Sequence, residues 1–189
     1  PFSFEFDPEF TDTIEIAFRN QSSDGRRIFD ANVYYADWTD QQVLIPDAIG
    51  NLFVSNAADS ELWGAELDYR QLMNENLEVF ASAAFSRTEF GESAGGDGLK
   101  GNSFQFAPEV VASLGAIYRF NNGFSIGGDI NYTSSTFSEP ENLPEFKNDA
   151  YWIANANANY AFQNGLVLTA YVRNLFDEQY TTQQTASGF

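Results

Sequence analysis

Hydrophobic and polar positions alternate with a period of two along eight stretches of this chain. The clearest stretch places Trp152, Ala154, Ala156, Ala158, Tyr160 and Phe162 on one face and Asn155, Asn157 and Asn159 on the other. A helix would scatter these two sets, whereas a strand sends successive side chains to opposite faces. The same reading holds for Ile14 to Arg19, Phe29 to Tyr35, Trp63 to Arg70, Leu77 to Ser86, Val110 to Phe120, Phe124 to Thr133 and Leu166 to Arg173. Phe80, Val111 and Ile117 are apolar residues on otherwise polar faces. Several stretches exceed the usual five or six residues of soluble strands and approach the roughly 9–11 of a tilted membrane-crossing strand.

The connections alternate too. Asn121-Asn122-Gly123 and Gln163-Asn164-Gly165 are Asn-Gly hairpin signals, and the links from Arg19 to Ile28 and from Arg70 to Leu77 are short. Between them lie long connections at Thr39–Glu61, Glu89–Ala107 and Ser134–Ala150, which carry Gly-rich and Pro-rich runs. Short and long links in strict succession predict an antiparallel meander with tight turns at one end and long loops at the other. That is the habit of outer-membrane barrels, with short periplasmic turns and long extracellular loops. It places both chain ends on the extracellular side.

Alternation alone does not say whether the apolar face meets lipid or a protein core. Aromatic residues stand at the ends of the apolar faces (Trp152 and Phe162, Tyr118 and Phe120, Tyr132, Tyr69) with Ala, Val, Leu and Ile between them. This is the girdle arrangement of a lipid-facing band. The polar faces mix Asn, Asp, Glu and Arg as a wide lumen would. The fold class read from the pattern is therefore all-β, an antiparallel transmembrane β-barrel. A soluble antiparallel barrel or sandwich, with the aromatics filling its core, is the competing reading.

Composition narrows the chemistry. The 189 residues hold no Cys and no His, which removes thiol nucleophiles, disulfides, thiolate zinc sites and His-based catalysis. No catalytic residues, metal site or cofactor are expected. A net charge of −18 argues against nucleic acid as a partner. Gly96-Asp97-Gly98-Leu99-Lys100-Gly101 matches G-x-G-x-x-G in spelling, but it stands in a polar loop and not between a strand and a helix, so it reads as loop. The carboxylates include no EF-hand run and read as a solvated acidic surface. The sequons at Asn20 and Asn131 match in spelling only, Asn131 falling inside a strand.

Toward its end the chain reads Asn174-Leu175-Phe176-Asp177-Glu178-Gln179-Tyr180, directly after an alternating strand. This resembles the NLFD-x-x-Y signature near the C-terminus of TonB-dependent outer-membrane receptors. Earlier pieces follow in that family's order: Pro8-Glu9 before the strand with Glu15; Tyr34-Tyr35-Ala36-Asp37 to Asp40-Gln41; Asn56-Ala57 with Gly64-Ala65-Glu66; and Gly101-Asn102 followed by Ala107-Pro108-Glu109. The resemblance covers nearly the whole chain.

The resemblance implies a plugged barrel of about 22 strands. Residues 1–189 would be about eight consecutive strands of its C-terminal portion, with the plug domain and the final strand absent and Phe189 a truncation point in a loop. It implies TonB-energised uptake of a scarce nutrient, a ferric siderophore complex being the expected ligand, across the outer membrane of a Gram-negative bacterium. The partners would be outer-membrane lipid, that small-molecule ligand, and the TonB complex through the absent plug region. Within this chain the expected ligand contacts are extracellular-loop residues Trp38, Phe90, Phe104, Phe106, Phe137 and Phe146, with Asn155 at the mouth. Arg119, Arg173, Glu66 and Asp129 are expected to brace the plug. Asn174, Leu175, Phe176, Asp177 and Tyr180 form the family motif, to which we assign a structural role, capping the strand end by side-chain-to-backbone bonds. Two alternatives stay open: a complete eight-stranded outer-membrane barrel serving as adhesin or anchor, and a soluble lipid-binding barrel.

Overall fold

The computed structural model describes residues 7–46, 52–91 and 98–185. Eight strands form one antiparallel sheet: β1 (Phe10–Gln21), β2 (Arg27–Pro46), β3 (Leu52–Leu72), β4 (Leu77–Phe90), β5 (Val110–Arg119), β6 (Phe124–Thr133), β9 (Tyr151–Ala161) and β10 (Val167–Val172). Each alternating stretch of the sequence coincides with one of these strands, with Phe120 just beyond β5, Phe162 just beyond β9, and Leu166 and Arg173 flanking β10. A small hairpin of β7 (Thr136–Phe137) and β8 (Lys147–Asn148), with a 3-10 turn at Pro144–Phe146, fills the connection between β6 and β9.

The register carries the period-two pattern across strands. One row runs Ile16, Val33, Ala65, Phe85, Val110, and another runs Phe18, Ala31, Leu67, Ala83, Ala112, Tyr132, Trp152. Both are wholly apolar. The adjacent row on the other face reads Arg19, Asp30, Asp68, Ser82, Ser113, Asn131. A slip of one residue would exchange these faces, so the hydrophobic pattern specifies the register. Aromatics cluster at both ends of the apolar face, with Tyr132–Trp152 and Trp63–Phe85 rings 4.5 and 5.2 Å apart toward the long-loop end. Tyr118–Phe120 and Tyr160–Phe162, each 4.7 Å apart, mark the turn end.

The sheet is a single curved layer. Among the described residues the buried apolar side chains are Ala36, Phe90 and Pro140, while Ile14, Leu168 and Trp152 are 73%, 65% and 60% exposed. Its accessible surface of 13059 Å² exceeds the roughly 9,000 Å² expected of a compact protein of 21.1 kDa. A soluble sandwich covers such a face with a second layer; here nothing among the described residues covers it. Hydrocarbon supplies the missing cover, because each large apolar side chain left in water forgoes about 1.5–3 kcal/mol.

The tight turns follow from their sequences. In the Asn-Asn-Gly and Gln-Asn-Gly links only the glycines, Gly123 and Gly165, take positive φ (83° and 87°), as a three-residue hairpin with a G1 bulge requires. Asn122 Oδ1 accepts from Phe124 N–H, and Asn164 Oδ1 from Leu166 N–H, each at 3.1 Å.

Two expectations are corrected. The connection Thr39–Glu61 is mostly strand, since β2 and β3 pair as far as Pro46 and Leu52 and reach 20 and 21 residues. At about 3.3 Å per residue each of these two strands is roughly 65 Å long, well beyond what a bilayer needs. A bulge interrupts their pairing between Trp38 and Gln42, with Asp40 at φ 55°. The Ser134–Ala150 connection is likewise no bare loop, since it holds the β7–β8 hairpin. Phe189 and the Gly96-Asp97 pair lie outside the described residues.

Candidate functional site: an aromatic cleft at the loop-side mouth

Side-chain pairs link neighbouring strands across the polar face of the sheet. Near the tight turns Glu78, only 7% exposed, accepts from Arg119 Nη2 at 2.7 Å and pairs with Arg70 Nε at 3.4 Å. Phe80 breaks the alternation because its ring lies over Gly115 on the neighbouring strand, where a Cβ would run into it. Toward the middle of the wall, Asp129 Oδ2 accepts from Asn131 Nδ2 at 2.5 Å and from Asn155 Nδ2 at 2.7 Å. Asn32 Nδ2 donates to Glu15 and Glu66 across three strands, at 3.1 and 3.3 Å. Arg119, Asp129 and Glu66 thus have partners within the wall itself, and the Arg173 guanidinium lies 5.4 Å from the Tyr171 ring centre.

At the loop-side mouth three of the expected aromatics converge. Trp38 sits on β2 and Phe90 ends β4, both on strands where loops were expected, and both on the lumen face by their register with Ser60. Phe104 comes from the following connection, its N–H bonded to Thr88 Oγ1 at 2.9 Å. That bond lays the Phe104 ring against Phe90 (4.7 Å) and edge-on to Trp38 (6.2 Å, 75°). Beside the cluster opens a cleft of ≈ 430 Å³ lined by Trp38, Gln41, Gln42, Val54, Phe90, Phe104 and Gln105. None of these side chains is charged. The Trp38 indole N–H is shielded from solvent and meets no acceptor among the described residues. Burial of Phe90 to 2% exposure makes it the floor of the cluster and not a contact surface.

The remaining candidates lie elsewhere. Phe106, at φ 57° and 44% exposed, donates its N–H to Phe137 O at 2.8 Å, beside a smaller cavity of ≈ 180 Å³ that Tyr151, Thr181 and Thr182 help to line. Phe146 closes the 3-10 turn, where its carbonyl accepts from Ser138 N–H at 2.9 Å. Asn155 is on β9, committed on one side to Asp129 and on the other to the N–H of Asn174 (3.1 Å). The glutamines and Val54 of the cleft went unnoticed in the sequence, because nothing in a stretch read as loop distinguishes them until β2 and β3 are extended through it.

The family motif forms a clamp. Asn174, at φ 51°, accepts from Glu178 N–H and donates to Glu178 O, both at 2.9 Å. The chain then returns so that Tyr180 stacks on Tyr151 at 4.1 Å and 17°. Beyond it, Gln184 N–H donates to Ser138 Oγ at 2.8 Å and Asn148 Nδ2 reaches Thr182 O at 3.4 Å. Asn142 meanwhile bonds Ser103 through N–H, Oγ and O, at 2.8, 2.9 and 3.0 Å. The three loop-side segments 98–109, 134–150 and 174–185 are thereby joined to one another.

An antiparallel wall with an apolar outer band, aromatic girdles, a polar inner face and a crown of loops at one end defines an outer-membrane β-barrel. A family model, "TonB dependent receptor-like, beta-barrel", matches residues 3–175, and the chain belongs to that family of Gram-negative outer-membrane proteins. It is 29% identical over 121 residues to the ferrioxamine receptor of Yersinia enterocolitica, covering 62% of this chain and 17% of that protein. In three dimensions it is similar to the ferric yersiniabactin uptake receptor FyuA from Yersinia pestis, with a TM-score of 0.79, 19% identity, and coverage of 95% of this chain and 27% of that one. The siderophore receptor PiuA from Acinetobacter baumannii gives a TM-score of 0.74 at 19% identity, covering 91% of this chain and 25% of that one. At such identities the structural likeness speaks for the fold. The chain spans about a quarter or less of the length of these relatives. Each of these relatives is named as a receptor.

Proposed function

We propose that residues 1–189 are the C-terminal portion of the wall of a larger plugged barrel, and that the whole protein takes up a scarce nutrient across the outer membrane with energy supplied through TonB. A ferric siderophore complex is the ligand this reading favours. The observation that carries it is the uncharged aromatic cleft of Trp38, Phe90 and Phe104, held at the loop-side end of a lumen wall. Clefts of several hundred Å³ with aromatic walls and a few polar groups are suited to small-molecule capture. The names borne by the relatives point the same way. A complete eight-stranded barrel would need β1 to pair with β10; among the described residues these are opposite edges of an open sheet. The test is a deletion of the full-length gene, followed by growth on iron-restricted medium across a panel of ferric chelates. Loss of growth on one chelate, restored by the intact gene, is the expected result; undiminished growth on all of them would sink the proposal.

A further inference from the structure

We infer that the cargo is a ferric chelate of neutral or positive net charge, taken by an uncharged arm into the Trp38–Phe104 cleft. The inference rests on the uptake reading above and narrows its ligand class. The cleft offers aromatic faces, three glutamines and Val54, but no guanidinium or ammonium group to neutralise an anion. Carboxylates flank it on β2 and β3, and Lys100 stands next to Gly101, whose N–H bonds Phe90 O at 2.8 Å. Asp40 stands in the bulge next to Trp38 and is bonded through its N–H to Asp59 Oδ1 at 3.3 Å.

The rest of this chain's loop-side end has the same sign. In the described loop-side segments 39–46, 52–59, 98–109, 134–150 and 173–185 there are nine carboxylates against Lys100, Lys147 and Arg173. Below the mouth, the lumen rows of β1, β2 and β3 bear Glu15, Asp30, Glu66 and Asp68 against Arg19. Of the other lumen arginines, Arg70 and Arg119 are near the tight turns, gathered on Glu78. A chelate bearing several negative charges would cross a field of its own sign and arrive at a cleft without a counter-ion, whereas one that is neutral or cationic is admitted or drawn in.

The experiment uses the purified full-length receptor in detergent and three ferric chelates of similar size. These are a linear tris-hydroxamate with a free terminal amine, its N-acetylated neutral form, and an anionic tris-catecholate. Stopped-flow quenching of tryptophan fluorescence reads the association rate at about 10 mM and about 500 mM salt, where the screening length falls from about 30 Å to a few ångströms. The cationic chelate should associate about tenfold more slowly at high salt, the neutral one should change little, and the anionic one should bind at least about tenfold more weakly than either. Replacing Glu139, Glu141 and Glu145 together by Lys should flatten or reverse the salt dependence of the cationic chelate. Tightest binding of the anionic chelate, or a salt-independent rate for the cationic one, overturns the inference while leaving siderophore uptake standing. Binding of none of the three, together with undiminished growth in the deletion strain, brings down both.

Discussion

Ser113 and Leu114 are neighbours in β5 with opposite surroundings. Leu114 stands in the outer row with Ala81 and Ile130; Ser113 stands in the inner row with Ser82 and Asn131. The outer face is uniform from strand to strand, since hydrocarbon asks one thing of every position. The inner face is not uniform: acidic on β1 to β3, pinned by an ion-pair triad near the turns, and amide-rich on β6 and β9. One face is set by a solvent and the other by particular neighbours.

Substitutions that carry the same change to both faces break this comparison most directly. Leu114→Arg in the full-length protein should lower unfolding stability in bilayers by about 2–4 kcal/mol, while Ser113→Arg one residue away should cost well under 1 kcal/mol. Denaturant titration of refolded vesicles measures both, and equal costs would mean that Leu114 does not face lipid. A smaller effect tests whether the inner face is truly specific. Gly115→Val places branches where the Phe80 ring lies and its Cβ 2.8 Å from the Gly128 carbonyl oxygen, and should cost about 1–3 kcal/mol by overpacking, of which Phe80→Ala recovers the ring's share and leaves the backbone contact. Additive costs in the double variant would show that the ring is free to leave.

The smallest effect lies outside the membrane, in the loop crown. Burial, and then the neighbouring Glu141 and Glu145, hold the Glu139 carboxyl above its ordinary value. A raised folded-state pKa means that the protonated form favours the folded loop. The contribution is full below the unfolded pKa and lost as pH rises through the folded one. Amide exchange in segment 134–150 should therefore slow on acidification through the upper carboxylate range, and Glu139→Gln should remove that part of the dependence.

Much of this was legible in the sequence, for a physical reason. Inside the bilayer each strand must keep one face apolar, so period two persists wherever the wall meets lipid, and all eight strands showed it. Above the bilayer both faces of a strand meet water, and the constraint lapses. The arm of β2 and β3 beyond Trp38 carries Thr39-Asp40-Gln41-Gln42 and then Val43-Leu44-Ile45, which alternates with nothing, and the Asp40 bulge shifts the phase besides. That is why the stretch read as a loop. The aromatics of the mouth were recognisable by type, but their grouping was not. Trp38, Phe90 and Phe104 meet because the bond from Phe104 N–H to Thr88 folds one connection over two strands.

By itself, then, the sequence determined the strands, which face of each is apolar, the lipid-facing side, the tight turns and the clamp-forming motif, all of which depend on neighbours a few residues apart or on a uniform solvent. Only the tertiary structure decided that the tall arm exists, that Phe80 answers Gly115, and which aromatics share a cleft. Those outcomes depend on which side chains of distant strands are brought opposite one another, and no period along the chain encodes that.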